Sequence, residues 1–154
     1  MVEMSLPKFR AWDKESQTMI DVLFVDYSHQ LVIGEHYEFG VTVPTSHDDV
    51  IFMMSTGLFD KNEQEIFKGD VIRKKGTANE TVGHGYQDLV TSTGEFVVCF
   101  EGGAFVAKGT YKKHYQSIDQ EKIERVECLL SQLGDGYEVV GNIYENPEMV
   151  GSDV

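Results

Sequence analysis

Apolar and polar positions alternate in short runs along most of the chain, most densely over residues 52–74, FMMSTGLFDKNEQEIFKGDVIRK. Leu58, Ile66, Val71 and Ile72 are broken by Asp60-Lys61-Asn62-Glu63 and by Lys68-Gly69-Asp70. Short antiparallel strands joined by tight turns require such a pattern. Gly69 suits a backbone position with positive φ, and the Asp70 carboxylate can accept hydrogen bonds from amides freed at the turn. Asn62 suits the earlier turn, because its short amide tolerates the left-handed region and bonds locally. Turn chemistry alone accounts for Asp60 and Asp70, so neither is read as a functional group.

Before this stretch, residues 8–13 alternate as a first strand, which places Phe9 and Ala11 toward a core and Lys8 and Arg10 toward water. Trp12 falls on the polar parity. It either caps the core edge or faces a partner, and capping is the commoner role. Residues 13–17 read as a turn, and Thr18-Met19-Ile20 begins a second strand paired with the first. Two further runs, 22–25 and 31–33, suggest strands joined by the polar turn 26–30. Gly34 and Gly40 bracket an aromatic alternation at 35–39, and 42–49 reads as a loop.

After the dense stretch, the polar, glycine-bearing interval 76–94 predicts a flexible excursion anchored by Val82, Tyr86, Leu89 and Val90. Residues 95–100 and 104–107, around Gly102-Gly103, form the clearest hairpin signal, and the first of these runs is apolar on both faces, as a central strand would be. Residues 117–133 predict the one helix. Ser117 with Gln120 fits a capping box, Ile123, Val126, Leu130 and Leu133 recur at helical spacing, and Gly134 sits where helices end. Its other face, with Glu121, Lys122, Glu124, Arg125 and Glu127, has the mixed signs of a solvated surface. Residues 137–144 predict a last strand with a bulge or close backbone approach at Gly141, ended by Pro147. The fold class is therefore mainly β with one helix in the C-terminal half, an α+β arrangement in a single domain over 1–154.

The length of 154 residues allows a real core without disulfides or metals. A net charge of -13, from 26 acidic against 13 basic residues, repels phosphate backbones, so direct nucleic-acid binding is not expected. The same acidity permits docking on a basic protein surface, including one that normally holds DNA. Cys99 and Cys128 belong to no metal-binding spacing and read as small buried hydrophobes. The first residues have no basic region followed by an apolar core, and no window is long enough to cross a bilayer, so a soluble cytoplasmic protein without membrane contact is expected. Without a secretory signal, the sequon at Asn79-Glu80-Thr81 carries no weight.

Chemistry is sparse. His47-Asp48-Asp49 is the first place for a metal or an acid/base pair, but a loop of Ser, His and Asp is more often simply solvated, and no second ligand cluster lies near in sequence. Gly83-His84-Gly85 lacks the strand before, the helix after and the lysine of a phosphate-cradling loop. No catalytic, cofactor-binding or metal residue is assigned, and no cofactor is expected.

Three segments together, KFRAWDK at 8–14, TGLFDKNEQEIFKGDVI at 56–72 and VVGNIYENPE at 139–148, resemble the YopX family of small proteins encoded by bacteriophages and prophages. The resemblance implies a mainly β domain with a small barrel-like or SH3-like core plus a helix, and it brings no catalytic residues. One departure stands out. The family pattern usually has Asn-Gly in the first central turn, whereas Asn62 here precedes Glu63. A two-residue type I′ turn would force Glu63 to positive φ, so a longer or differently typed turn is expected.

Three functional readings follow. The first is a non-enzymatic interaction or regulatory module acting on a host or phage protein in a bacterial cell, in a sharper version a mimic of nucleic-acid charge whose acids would cluster on one face. The second is a small hydrolase or nucleotide-processing enzyme using His47, Asp48, Asp49 or His84, which must then lie within hydrogen-bond reach of one another and of a pocket. The third is an assembly role, in which strand edges pair between copies to form a homo-oligomer.

Overall fold

The alternating segments become strands in two antiparallel sheets. A computed structural model describes residues 8–38, 40 and 42–149. Its contacts group into two units, Met1–Leu58 with Glu65–Lys68, and Phe59–Gln64 with Gly69–Val154.

The first sheet contains β1 (Phe9–Asp13), β2 (Thr18–Asp26), β3 (Leu31–His36), β4 (Thr42–Ser46), β5 (Val50–Phe59) and β6 (Glu65–Phe67), in the order β4-β3-β2-β1-β5-β6. β1 lies between β2 and β5, with Ala11 opposite Ile20 on one side and Phe52 on the other. Ala11, Ile20, Val32 and Val50 form a buried cluster against which Val22 packs. Arg10, expected to face water, is instead buried, with its guanidinium carbon 4.7 Å from the centre of the Phe67 ring. A central strand covered on both faces leaves no wet side, and a planar guanidinium stacks well on an aromatic face. Trp12 is buried too, a core member rather than a surface anchor. The expected loop at 42–49 is strand up to Ser46. Pro44 is tolerated there, opposite Ile33, because β4 is an edge strand where a missing N–H leaves no ladder partner unpaired.

The second sheet contains β7 (Asp70–Val82), β8 (Tyr86–Glu101), β9 (Ala104–Tyr115), β10 (Gln120–Leu129) and β11 (Tyr137–Asn142), in the order β10-β9-β8-β7-β11. The interval 76–94, expected as an excursion, is paired strand: β7 and β8 stay in register from Val71↔Val97 out to Val82↔Tyr86 and turn through residues 83–85. Cross-strand pairs such as Thr77 with Thr91 and Val82 with Tyr86 stabilise strand where polarity alone suggests loop. The hairpin at Gly102-Gly103 forms as expected. The bulge expected at Gly141 is present as a register shift between Val139 and Gly141 on β7.

The expected helix at 117–133 does not form. Residues 120–129 are β10, paired with β9 from Gln120↔Tyr115 to Leu129↔Val106, and a 3-10 turn at Leu130–Leu133 follows. Ser117 caps no helix: its amide donates to Asp88 Oδ1 at 3.0 Å, and the neighbouring Gln116 amide donates to the Leu89 carbonyl. Along β10, Glu124, Val126 and Cys128 are half-buried while Arg125, Glu127 and Leu129 are exposed, a period of two. Leu130 and Leu133, which completed the helical spacing, are buried from the 3-10 turn, whose last carbonyl accepts from Lys74 Nζ at 2.6 Å. The barrel or SH3-like core is corrected as well. Both sheets end in edge strands among the described residues, β4 and β6 in one, β10 and β11 in the other, whereas a barrel needs its first and last strands bonded together.

Gly69 stands at φ 90, as its turn demanded. In the earlier turn the left-handed residue is Glu63 (φ 63), not Asn62. The Glu63 amide donates to the Asp60 carbonyl and the Asp60 amide to the Gln64 carbonyl, so the loop is longer than two residues. Within the second sheet, Phe96 is buried and meets Tyr111 edge-on at 5.0 Å, over the bare strand positions Gly94 and Gly109. A Cβ on Gly109 would lie 1.8 Å from the Glu95 carbonyl oxygen.

Two stability measurements check these assignments. Glu63→Gly is expected to raise the denaturant midpoint by roughly 0.5–1 kcal/mol equivalent, because a bulky residue leaves the left-handed region. Gly109→Ala is expected to lower it by roughly 1–3 kcal/mol or more, because the backbone of β8 must move.

Candidate functional site

Two polar constellations and one groove stand out. The first constellation is centred on Asp60, which is 7 % exposed. Its Oδ1 accepts the Asn62 amide at 2.8 Å and the Gln64 amide at 2.9 Å, and its Oδ2 accepts the Val139 amide of β11 at 2.9 Å. The Lys61 amide also donates to the Tyr137 carbonyl. Burial pushes the Asp60 carboxyl up, but the amides of Val139, Gln64 and Asn62 outweigh burial and hold it below the ordinary value of 3.8. Both oxygens of this buried carboxylate are engaged by backbone amides, so Asp60 is a structural carboxylate.

The second lies in the first sheet. Asp13 Oδ1 accepts the Glu15 amide at 3.0 Å; its Oδ2 accepts the Ser16 hydroxyl at 2.8 Å and lies 3.2 Å from Nε2 of the buried His36. The Ser16 hydroxyl also pairs with Thr18 Oγ1 at 2.7 Å. Here too burial opposes ionisation, and the Ser16 hydroxyl, His36 and the two amides together lower the carboxyl's pKa. Serine, histidine and aspartate meet, but the serine hydroxyl and the imidazole both address the carboxylate. Nucleophilic activation needs the imidazole on the hydroxyl. Sequence reading missed this cluster, since 23 residues separate Asp13 from His36 and no local motif joins them.

The groove, about 520 Å³, is lined by Phe9, Val25, Asp26, Tyr27, Gln30, His47 and Phe52, all from the first unit. Phe9 and Phe52, on the neighbouring strands β1 and β5, set their rings nearly perpendicular at 6.1 Å. Tyr27 is 86 % exposed. It belongs to the turn from β2 to β3, in which Asp26 Oδ1 accepts the Ser28 amide, the Ser28 hydroxyl and the His29 amide, while Oδ2 lies 2.8 Å from His29 Nδ1. These bonds, first the Ser28 hydroxyl and then the His29 ring and amide, bring the Asp26 carboxyl down to about 2, so it stays ionised at neutral pH. Residues 26–29, Asp-Tyr-Ser-His, carry the local signature of such a turn.

Of the residues singled out earlier, His47 reaches the groove. It belongs to a 3-10 turn, His47–Asp49, with Nδ1 3.3 Å from Asp48 Oδ1. Asp48 and Asp49 are exposed, and His84 is an exposed residue of the β7–β8 turn in the other unit. Among the described residues no group of three or more His, Cys, Asp or Glu could hold a metal ion. Cys99 and Cys128 are half-buried thiols.

A family described as YopX protein matches residues 8–150. The chain belongs to the YopX family. The match spans all three segments that carried the resemblance, with Asp13, Asp60 and Val139 inside them. The chain is also similar to the crystal structure of protein EF1440 from Enterococcus faecalis, with 27% identity, coverage of 95% of this chain and 99% of that one, and a TM-score of 0.47. No curated protein matches the chain.

Asp60→Asn in this YopX-family chain replaces an acceptor of three amides by a group that carries donors. A loss of roughly 2–3 kcal/mol at pH 7 is expected in urea unfolding. Because the folded pKa values of Asp13 and Asp60 lie below the ordinary 3.8, their stabilisation is fully present above that value and is lost as pH falls through the lower folded values. Stability of the parent chain should therefore fall below about pH 4, and the gap between parent and Asp60→Asn should narrow there.

Proposed function

We propose that this chain is a non-enzymatic interaction module which acts by binding a protein in a phage-infected or lysogenic bacterial cell. The observation that carries the reading is the groove: an open, largely apolar concavity with three aromatic rings beside an ionised carboxylate, in a strongly acidic chain. Exposed aromatic residues with a polar rim are the common anatomy of a binding surface. The hydrolase reading gains less, since of His47, Asp48, Asp49 and His84 only His47 lines this concavity.

The charge-mimic version of the reading is weaker. On the β7–β10 sheet acids and bases interleave: Arg73 with Glu95, Lys108 with Glu101 and Glu127, Lys112 with Glu121, Lys113 with Glu80. An imitation of a phosphate backbone needs an unbroken acidic face. No helix among the described residues is long and apolar enough to cross a membrane.

One observation favours self-association as a second reading. β10 is an edge strand with Ile123 67% exposed, and its Glu-Lys-Ile-Glu-Arg stretch opposes unlike charges when two copies pair antiparallel about Ile123, Glu121 to Arg125 and Lys122 to Glu124. Sedimentation equilibrium checks this. A dimer abolished by Arg125→Glu and restored by adding Glu121→Arg supports the pairing, and a monomer at all concentrations removes it.

The interaction reading is tested by affinity purification of tagged protein from the bacterial host, with and without phage infection, at low and raised salt. A stoichiometric protein partner that dissociates at high salt is the expected result. No partner in either state would overturn it.

A further inference from the structure

We infer that the groove is a site for an arginine side chain within a basic segment of the partner, held between aromatic faces and the Asp26 carboxylate. The inference rests on the interaction reading and adds the chemistry of what is bound. Phe9 and Phe52 touch edge to face, with centroids 6.1 Å apart, so a group in the groove stacks on the ring surface this pair presents to it and does not enter between the two rings. Tyr27, at 86 % exposure, adds a third aromatic ring to the lining and has little to lose in packing if it closes over a ligand. Three rings and a carboxylate around one concavity favour a cation over an apolar anchor, because ring faces attract positive charge and a carboxylate neutralises it.

Asp26 answers the charge requirement. It remains ionised at neutral pH; Oδ1 accepts a hydroxyl and two amides that orient the group, while Oδ2 faces, among the described residues, only the His29 ring and keeps acceptor capacity for a guanidinium N–H. The net charge of -13 steers a basic segment toward the chain and turns away nucleic acid. Arginine fits better than lysine. Its guanidinium is planar, sheds water more easily, stacks on rings and offers paired donors to a carboxylate. Gln30 and His47 complete the lining as polar groups able to meet the backbone or remaining N–H groups of such a segment.

The test is a titration of the full chain with a capped Arg-Gly-Arg-Gly-Arg peptide and with its citrulline counterpart, which keeps the planar shape and lacks the charge. Calorimetry reads affinity, and amide chemical shifts locate it. Expected is a Kd below about 1 mM at low salt for the arginine peptide, with shifts at residues 25–30 and 47–52, and binding at least about tenfold weaker for the citrulline peptide. Tyr27→Ala removes a ring that is almost wholly in solvent, so the chain should fold unchanged and bind about tenfold more weakly, while Tyr86→Ala, an exposed ring on β8 of the other sheet, should bind as the parent does. Equal binding of the two peptides, an unchanged Kd for Tyr27→Ala, or no binding at about 1 mM would overturn the site. A cellular partner captured equally by parent and Tyr27→Ala would also overturn the site while leaving the interaction reading intact. Peptide binding that obeys the pattern, with no cellular partner, would overturn the interaction reading and leave the site.

Discussion

The Asp60 carboxylate is the interaction on which the middle of the chain depends. It is buried, so it must be fully hydrogen-bonded to remain ionised, and it achieves this with three amides from two places far apart in sequence. Two come from its own turn and one from β11. The turn is thereby closed with Glu63 in a conformation that costs a bulky residue about 1 kcal/mol, and the turn and β11 become parts of one packed unit. Through this one carboxylate the turn and the last strand share a hydrogen-bonded anchor.

The first sheet uses the same physics with different partners. Asp13 ends β1, draws in the turn that follows through the Glu15 amide and the Ser16 hydroxyl, and meets His36 from β3. Every residue from Arg10 to Asp13 is buried, and the polar ones among them are reconciled with burial by a ring face, by hydroxyls and amides, and by an imidazole. Such a strand tolerates little change. The groove lies on the same sheet, where exposed aromatic rings are borne on β1, β5 and the β2–β3 turn, and a rigid strand pair is a better support for recognition than a free loop.

Electrostatics divides the molecule by purpose. On the β7–β10 sheet the charges are interleaved in cross-strand pairs, each worth little, which keep a broad exposed face soluble. In the groove a single ionised carboxylate, which also holds the β2–β3 turn, stands beside aromatic rings.

What the sequence by itself determined is local. The turn at Gly69, the hairpin at Gly102-Gly103, the bulge at Gly141 and the membership of the YopX family all follow from residues adjacent in the chain, because turn geometry is decided by neighbouring φ and ψ preferences. The tertiary structure alone decided the rest. Ile123, Val126, Leu130 and Leu133 have helical spacing, yet ten residues of β9 offered a ladder, and pairing outweighed a weak intrinsic preference. The polar interval 76–94 became strand for the same reason. Arg10 was buried because β1 is central, a fact set by strand order and not by its own alternation. His36 met Asp13, and Phe9 met Phe52 in a concavity that Tyr27 also lines, because folding brought together side chains separated by intervals that no local pattern encodes.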